Sequence, residues 1–153
     1  MNVIDCFKAY DVRGRVPQEL NTDIAYRIGR AFSLLLDARK TVVGHDIRLT
    51  SPELTDALVA GLTDGGTDVI HIGQCGTEEV YFATFDLGIC GGICVTASHN
   101  PKDYNGMKFV EQNAKPLSGK HNIKELQRLV ALDQFSDVAI KGKLEHKCIA
   151  SHY

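Results

Sequence analysis

Residues 91–108 read GGICVTASHNPKDYNGMK. The apolar run Leu87–Val95 ends at once in the polar turn Thr96-Ala97-Ser98-His99-Asn100-Pro101. This pattern predicts a buried strand that stops and presents a hydroxyl, an imidazole and an amide at its carboxyl edge. Open α/β sheets bind their ligands in the crevice beyond such edges. Pro101 fixes its own φ and moves Asn100 out of the helical region, which stiffens the turn. Asn105-Gly106 predicts a second turn, from which the chain returns through Met107-Lys108-Phe109-Val110. Ser98 and Lys108 then flank one loop, with the ammonium placed to face whatever the serine carries.

Working outward, Ile24, Ile28, Ala31, Phe32 and Leu35 recur at helical spacing and predict a helix over Thr22–Leu36, capped by Asn21 or Thr22. Thr41-Val42-Val43-Gly44 reads as a short buried strand that runs into His45-Asp46-Ile47-Arg48 at its carboxyl edge. Ser51-Pro52-Glu53 supplies a capping hydroxyl, a first-turn proline and an acid, and so opens a second helix that Gly65-Gly66 ends. Thr67–Ile72 is the next strand, completing a β-α-β unit that predicts a right-handed parallel crossover. A third helix is expected over Thr77–Phe85, capped by Thr77. Its paired acids Glu78 and Glu79 complement the helix dipole. A fourth helix is expected over Ser118–Leu132. The fold class that follows is α/β: an α/β/α layered domain with a small, mainly parallel mixed sheet between helices. Residues 1–140 make this domain. Residues 141–153 show no clear element and, being basic and polar over Lys141–Lys147, read as the start of an interdomain connection.

The 153 residues fit one domain with a real core. A net charge of −2 gives no electrostatic case for nucleic acid or an anionic membrane. There is no apolar run of transmembrane length and no basic-then-apolar start, so a cytoplasmic protein is expected. Five cysteines, an odd number, argue for reduced thiols. Cys90 and Cys94 have no second pair to complete a zinc site, and on a strand they would share one side as small buried thiols.

Ser98 supports more than one reading. His99 beside it suggests a hydrolase nucleophile, but the G-x-S-x-G elbow is absent and Ala97 stands where a glycine is expected. A serine that merely satisfies its own turn is the plainest alternative.

The motifs decide between these. TASHNP followed by DYNGMK resembles the phosphoserine loop of the α-D-phosphohexomutases, the family of phosphomannomutases and phosphoglucomutases. FKAYDVRG, GHDIRLT and GTEEVYFAT extend the resemblance over nearly the whole chain, and the combination is most similar to the bacterial phosphomannomutases. Cys94 departs from the family, whose members more often carry Met or Glu there. The resemblance implies that Ser98 carries a phosphoryl group, passes it to a hexose monophosphate and recovers the other phosphoryl group from the bisphosphohexose that forms. The net change would interconvert mannose 6-phosphate and mannose 1-phosphate. Glucose phosphates would be the substrates if the chain is a phosphoglucomutase.

A phosphoserine holds about −1.5 to −2 charges and needs cations nearby. The resemblance assigns that role to Lys108 and Arg13, with His99 beside the serine. It places Tyr10, Asn100, Asp46 and Arg48 in the substrate cleft; Arg48 either organises that cleft through Asp46 or forms an ordinary surface ion pair with it. It also implies Mg2+, touched here only through the phosphate on Ser98. The family's Asp-rich DGDxDR loop lies in a second domain, and these residues contain no such segment. A hexose 1,6-bisphosphate would be the activator, and the enzyme's remaining domains the partners. The alternative from another class is a non-catalytic module that binds sugar phosphates or a protein.

Overall fold

In the computed structural model, residues 4–148 are described, and they form seven strands and four helices. In chain order these are β1 (Val12–Arg15), α1 (Thr22–Leu36), β2 (Lys40–His45), α2 (Ser51–Asp64), β3 (Asp68–Gln74), α3 (Thr77–Asp86), β4 (Gly91–Val95), β5 (Tyr104–Glu111), β6 (Lys115–Pro116), α4 (Ile123–Leu132) and β7 (Leu144–His146). The sheet order is β1-β5-β4-β2-β3-β7, with β6 paired to β5. Strands β4, β2, β3 and β7 are mutually parallel, while β5 runs antiparallel to both β4 and β1. The expected mixed, mainly parallel sheet is observed.

Strand alternation sorts the side chains into two layers. Val43, Val69, Ile93, Val95, Met107 and Phe109 join the core with Ile28, Phe32, Leu58 and Leu126 from α1, α2 and α4. Val42, Ile70 and Cys94 point the other way, to Val80 and Ala83 of α3. All five residues of β4 are buried, because helices cover both faces of this central strand. Helices α1 and α2 touch backbone to backbone. A Cβ at Gly61 would strike the carbonyl of Tyr26, and one at Gly29 would strike the carbonyl of Leu58.

Several local expectations are revised. The strand expected from Leu87 begins at Gly91, since Leu87 caps α3 and Gly88 turns the chain with φ +62°. Cys90 therefore lies outside β4 and does not share a strand face with Cys94. The fourth helix starts at Ile123, where the Asn122 side chain accepts from the Glu125 N–H at 2.8 Å. Asn21 caps α1 through the Ile24 N–H. Neither Ser51 nor Thr77 is a cap: Thr50 and Gly76 hold those positions, and the Glu79 carboxylate accepts from the Gly76 N–H at 2.9 Å. Asn105-Gly106 is not a turn. It lies inside β5, paired with Gly14 and Arg13 of β1, and the reversal is made earlier, at Lys102-Asp103. Residues 144–146, in the stretch without a sequence signal, form the outer parallel strand β7 beside β3. The end of the expected connection, residues 149–153, lies outside the described residues.

Strand β7 brings a third imidazole to a row. His71 stands 5.0 Å from His146 and 5.8 Å from His45, ring centre to ring centre. Burial, then the charges of His146 and His45, lower the pKa of His71, with Asp56 opposing. The folded chain thus takes up this proton less readily than the unfolded chain, whose imidazole titrates at 6.5. Stability is expected to fall as pH drops below that value and to level off below the folded pKa. In urea titrations over a pH series, His71→Asn should flatten this part of the profile. Parallel profiles for the two proteins would refute the assignment.

Candidate functional site

The loop after β4 is built on Arg48. Its guanidinium donates to the carbonyls of Pro101 (2.7 Å), Tyr104 (2.9 Å), Ser98 (3.0 Å) and Asn100 (2.6 Å), and its Nε lies 3.6 Å from Asp46 Oδ2. All five N–H groups of the side chain are thereby directed inward. Arg48 holds the loop and has no donor left for a ligand. The ion pair with Asp46 that the sequence suggested exists, yet most of the organisation passes through backbone carbonyls about fifty residues away. Asp46 is itself held, since its Oδ1 accepts from the Arg48 N–H at 3.0 Å and from the Ser51 hydroxyl at 2.6 Å.

Asn105 closes this network from behind. Fully buried, it donates to Thr50 Oγ1 and Ser51 Oγ at 2.9 and 3.0 Å and accepts from the Gly106 N–H. Sequence reasoning missed its role because an Asn-Gly pair signals a turn. Its signal would have been a burial that no single sequence displays.

Within this frame Ser98 is exposed and its φ is +53°, the left-handed region that costs an L-residue roughly 1–2 kcal/mol. The Thr96 hydroxyl accepts from the Ser98 N–H at 3.1 Å, while Arg48 holds its carbonyl. Asn100 pins the next turn by donating both its backbone N–H (3.1 Å) and its amide (2.7 Å) to the Ala97 carbonyl. The Ser98 hydroxyl makes no hydrogen bond among the described residues. A concavity of about 610 Å³ opens beside it, lined by Ile47, Leu49, Thr50, Asn100 and Lys102. Lys102 is a cation at the serine that the sequence reading passed over, although it directly follows the TASHNP motif.

The other expected residues are placed unevenly. Lys108 is the register partner of Cys94 and Arg13 that of Gly106, so both lie on the α3 face of the sheet. Arg13 pairs with Asp11 at 3.3 Å. Among the described residues Lys108 makes no hydrogen bond or ion pair, and neither cation is bonded to Ser98. His99 is exposed, and Tyr10 is 87% exposed. No group of three or more His, Cys, Asp or Glu side chains among the described residues could hold a metal ion. No described helix is long and apolar enough to cross a membrane.

Residues 5–136 match the family described as phosphoglucomutase/phosphomannomutase, alpha/beta/alpha domain I. The chain belongs to this family. It is 56% identical to a phosphomannomutase of Klebsiella pneumoniae over 155 aligned positions, covering all of this chain and 99% of that protein. It is also 56% identical to a phosphomannomutase of Escherichia coli and 52% identical to one of Vibrio cholerae, matched along its whole length but over only 34% of each relative. Among solved structures it resembles a phosphoglucomutase/phosphomannomutase family protein of Burkholderia thailandensis, with a TM-score of 0.88, 35% identity and coverage of 100% of this chain and 35% of that one. A protein of Thermus thermophilus titled a putative phosphomannomutase gives a TM-score of 0.82 at 29% identity, over 97% of this chain and 34% of that one. The chain thus spans about a third of the longer relatives and corresponds to domain I of the family fold.

Arg48→Ala should leave the loop carbonyls to water and release Ser98 from its strained φ. The expected loss is about 2 kcal/mol of stability, with much faster amide exchange at Asn100 than in β4. Arg48→Lys should recover only part of it, because an ammonium has three donors and no planar fork. Equal exchange at Asn100 in all three proteins would refute the clamp.

Proposed function

We propose that the chain is the phosphoserine-bearing domain of a phosphomannomutase, which interconverts mannose 6-phosphate and mannose 1-phosphate through a bisphosphohexose. The observation that carries this reading is the Ser98 hydroxyl: exposed, free of hydrogen bonds among the described residues, and held in a strained conformation at a strand's carboxyl end. Backbone strain of this kind clusters at functional sites. The names of the relatives support mannose as the sugar. Phosphoglucomutase is the neighbouring alternative within the family.

In the proposed step the sugar oxygen bonds to phosphorus, the bond from phosphorus to Ser98 Oγ breaks, and the sugar hydroxyl gives up its proton. Lys108 positions the phosphoryl group or accepts that proton, and Arg13 binds phosphate oxygens through its planar fork. Both belong to the α3 face, so they act once a phosphate on Ser98 extends toward them. His99 donates to the phosphate, Asn100 and Arg48 hold the loop, Asp46 anchors Arg48, and Tyr10 meets the substrate. Such transfer depends on positioning and charge neutralisation rather than on covalent work by the protein.

The family implies a metal cofactor, and Mg2+ is the ion proposed. The described residues do not fit a magnesium site by themselves: Asp46 is committed to Arg48 and Ser51, and this chain's contribution would be the phosphate on Ser98. A bound Mg2+ would neutralise charge at phosphorus, with ligands from elsewhere in the enzyme. Hexose 1,6-bisphosphate is the proposed activator, hexose phosphates and the enzyme's other domains the proposed partners, and the cytoplasm the proposed location.

Incubation of the chain with mannose 1,6-bisphosphate should add one phosphate to the TASHNP peptide by mass spectrometry, and Ser98→Ala should abolish it. Phosphate on Thr96 or Ser118 instead would defeat the proposal. The 153 residues alone should not turn over mannose 1-phosphate at an enzyme-like rate. Loss of metal stabilisation and of remote substrate binding, roughly 4 kcal/mol each, slows turnover on the order of a millionfold. A coupled oxidation assay showing about one turnover per second, and none in Ser98→Ala, would contradict that expectation.

A further inference from the structure

Cys75 and Cys94 form a thiol pair that plays no part in the chemistry proposed for Ser98. Cys94 is fully buried on the α3 face of β4, and Cys75, just after β3, is partly exposed. Gly44 links the two positions. It is the register partner of Cys94 on β2, and a Cβ at Gly44 would run into Cys75 Sγ. The Cys75 sulfur therefore fills the space left by a missing side chain, directly beside Cys94 on the next strand. The backbone fixes it there, because the Cys75 N–H donates to the His45 carbonyl at 2.8 Å.

Two groups converge on Cys94. The Thr77 hydroxyl donates to its sulfur at 3.8 Å, and the Cys75 thiol stands beside it in the space that Gly44 leaves open. Lys108 faces it from β5. The hydrogen bond from Cys75, then that from Thr77 and the charge of Lys108, lower the pKa of Cys94 against burial and Asp46. The same hydrogen bond, together with burial, raises that of Cys75. Of the two, Cys94 is the sulfur that holds its proton less tightly. Cys90, expected from the sequence to share a strand side with Cys94, is not involved.

We propose that Cys75 and Cys94 are an oxidant-sensitive dithiol that peroxide closes to an intramolecular disulfide. The Cys94 thiolate attacks one oxygen of hydrogen peroxide; the O–O bond breaks, leaving a sulfenic acid and hydroxide. The Cys75 sulfur then attacks the Cys94 sulfur, the S–O bond breaks, and a second hydroxide leaves. The two hydroxides take up the protons released from the two thiols. Two thiols are oxidised by two electrons in all, and one peroxide becomes two waters. The placement of the Cys75 sulfur over Gly44, next to Cys94 on the neighbouring strand, is the proximity this closure needs, and transient sensing disulfides are the kind found in reducing compartments. The bond would tie the segment before α3 to the strand that carries Ser98, and would take the Cys94 sulfur from Lys108.

The reduced 153-residue chain is treated with hydrogen peroxide, alkylated after denaturation and digested. The expected product joins the Cys75 and Cys94 peptides with loss of two hydrogens, is reversed by dithiothreitol, and is absent from Cys75→Ser and Cys94→Ser. In Cys75→Ser the step should stop at the sulfenic acid, so dimedone added together with the denaturant should label Cys94. This second readout decides the matter even if Cys94→Ser fails to fold. Oxidation confined to Cys90 or Cys148, a disulfide joining other cysteines, or no dimedone on Cys94 in Cys75→Ser would overturn the proposal.

Discussion

One guanidinium saturated by backbone carbonyls is the constraint on which the site depends. Four loop carbonyls near Ser98 would otherwise face water in a flexible segment, and Arg48 gathers them into a single geometry. A carbonyl has no strong preference for one conformation of its chain, but four that share one planar donor must adopt mutually consistent positions. That consistency overrides the cost of a serine in the left-handed region. Asp46, Ser51 and Asn105 then keep the guanidinium from rotating away. The loop is accordingly part of the sheet's architecture, anchored to β2, the start of α2 and β5.

The sheet divides its labour between its faces. The face under α1, α2 and α4 is almost wholly apolar and contains the large core, including the stacked rings of Phe32 and Phe109. The α3 face is covered by a single helix and leaves room for Arg13, Lys108, Cys75 and Cys94. Polar chemistry can be placed there because the other layer supplies most of the burial. A mixed sheet with an antiparallel pair at one side also brings β1 and β5 next to the end of β4. This is how Arg13 and Lys108, far apart in sequence, reach one region.

Much of this was legible in the sequence where local pattern and tertiary role coincide. The stripe from Ile24 to Leu35 forms α1 with the expected bounds, and the apolar run into TASHNP forms β4 and its loop. What escaped notice depends on partners distant in the chain. The reach of Arg48 across more than fifty residues cannot be inferred from an Asp-x-Arg spacing. Asn105-Gly106 has turn chemistry but lies in a strand, because β1 pairs with it on one side, the Thr96 N–H donates to the Gly106 carbonyl on the other, and the buried amide finds the hydroxyls of Thr50 and Ser51 at the start of α2. Strand β7 is all exposed and lacks alternation, so only the ladder to β3 defines it. Ser51 looks like a cap by local rules, yet it is already the first residue of α2, with Thr50 at the cap position, and its hydroxyl donates to the carboxylate of Asp46.

The positive φ of Ser98 has a consequence for how such a chain can change over generations. Glycine relieves the steric cost at this position, and asparagine tolerates it. Under pressure for folding alone, the hydroxyl would be among the first groups discarded from this domain. A serine there stands against the grain of its own backbone, and with the phosphate-carrying role proposed for it, its presence in a descendant sequence would report continued use of the oxygen atom. A lineage that had abandoned the chemistry but kept the fold would be recognised by a glycine at this one site, well before its core began to drift.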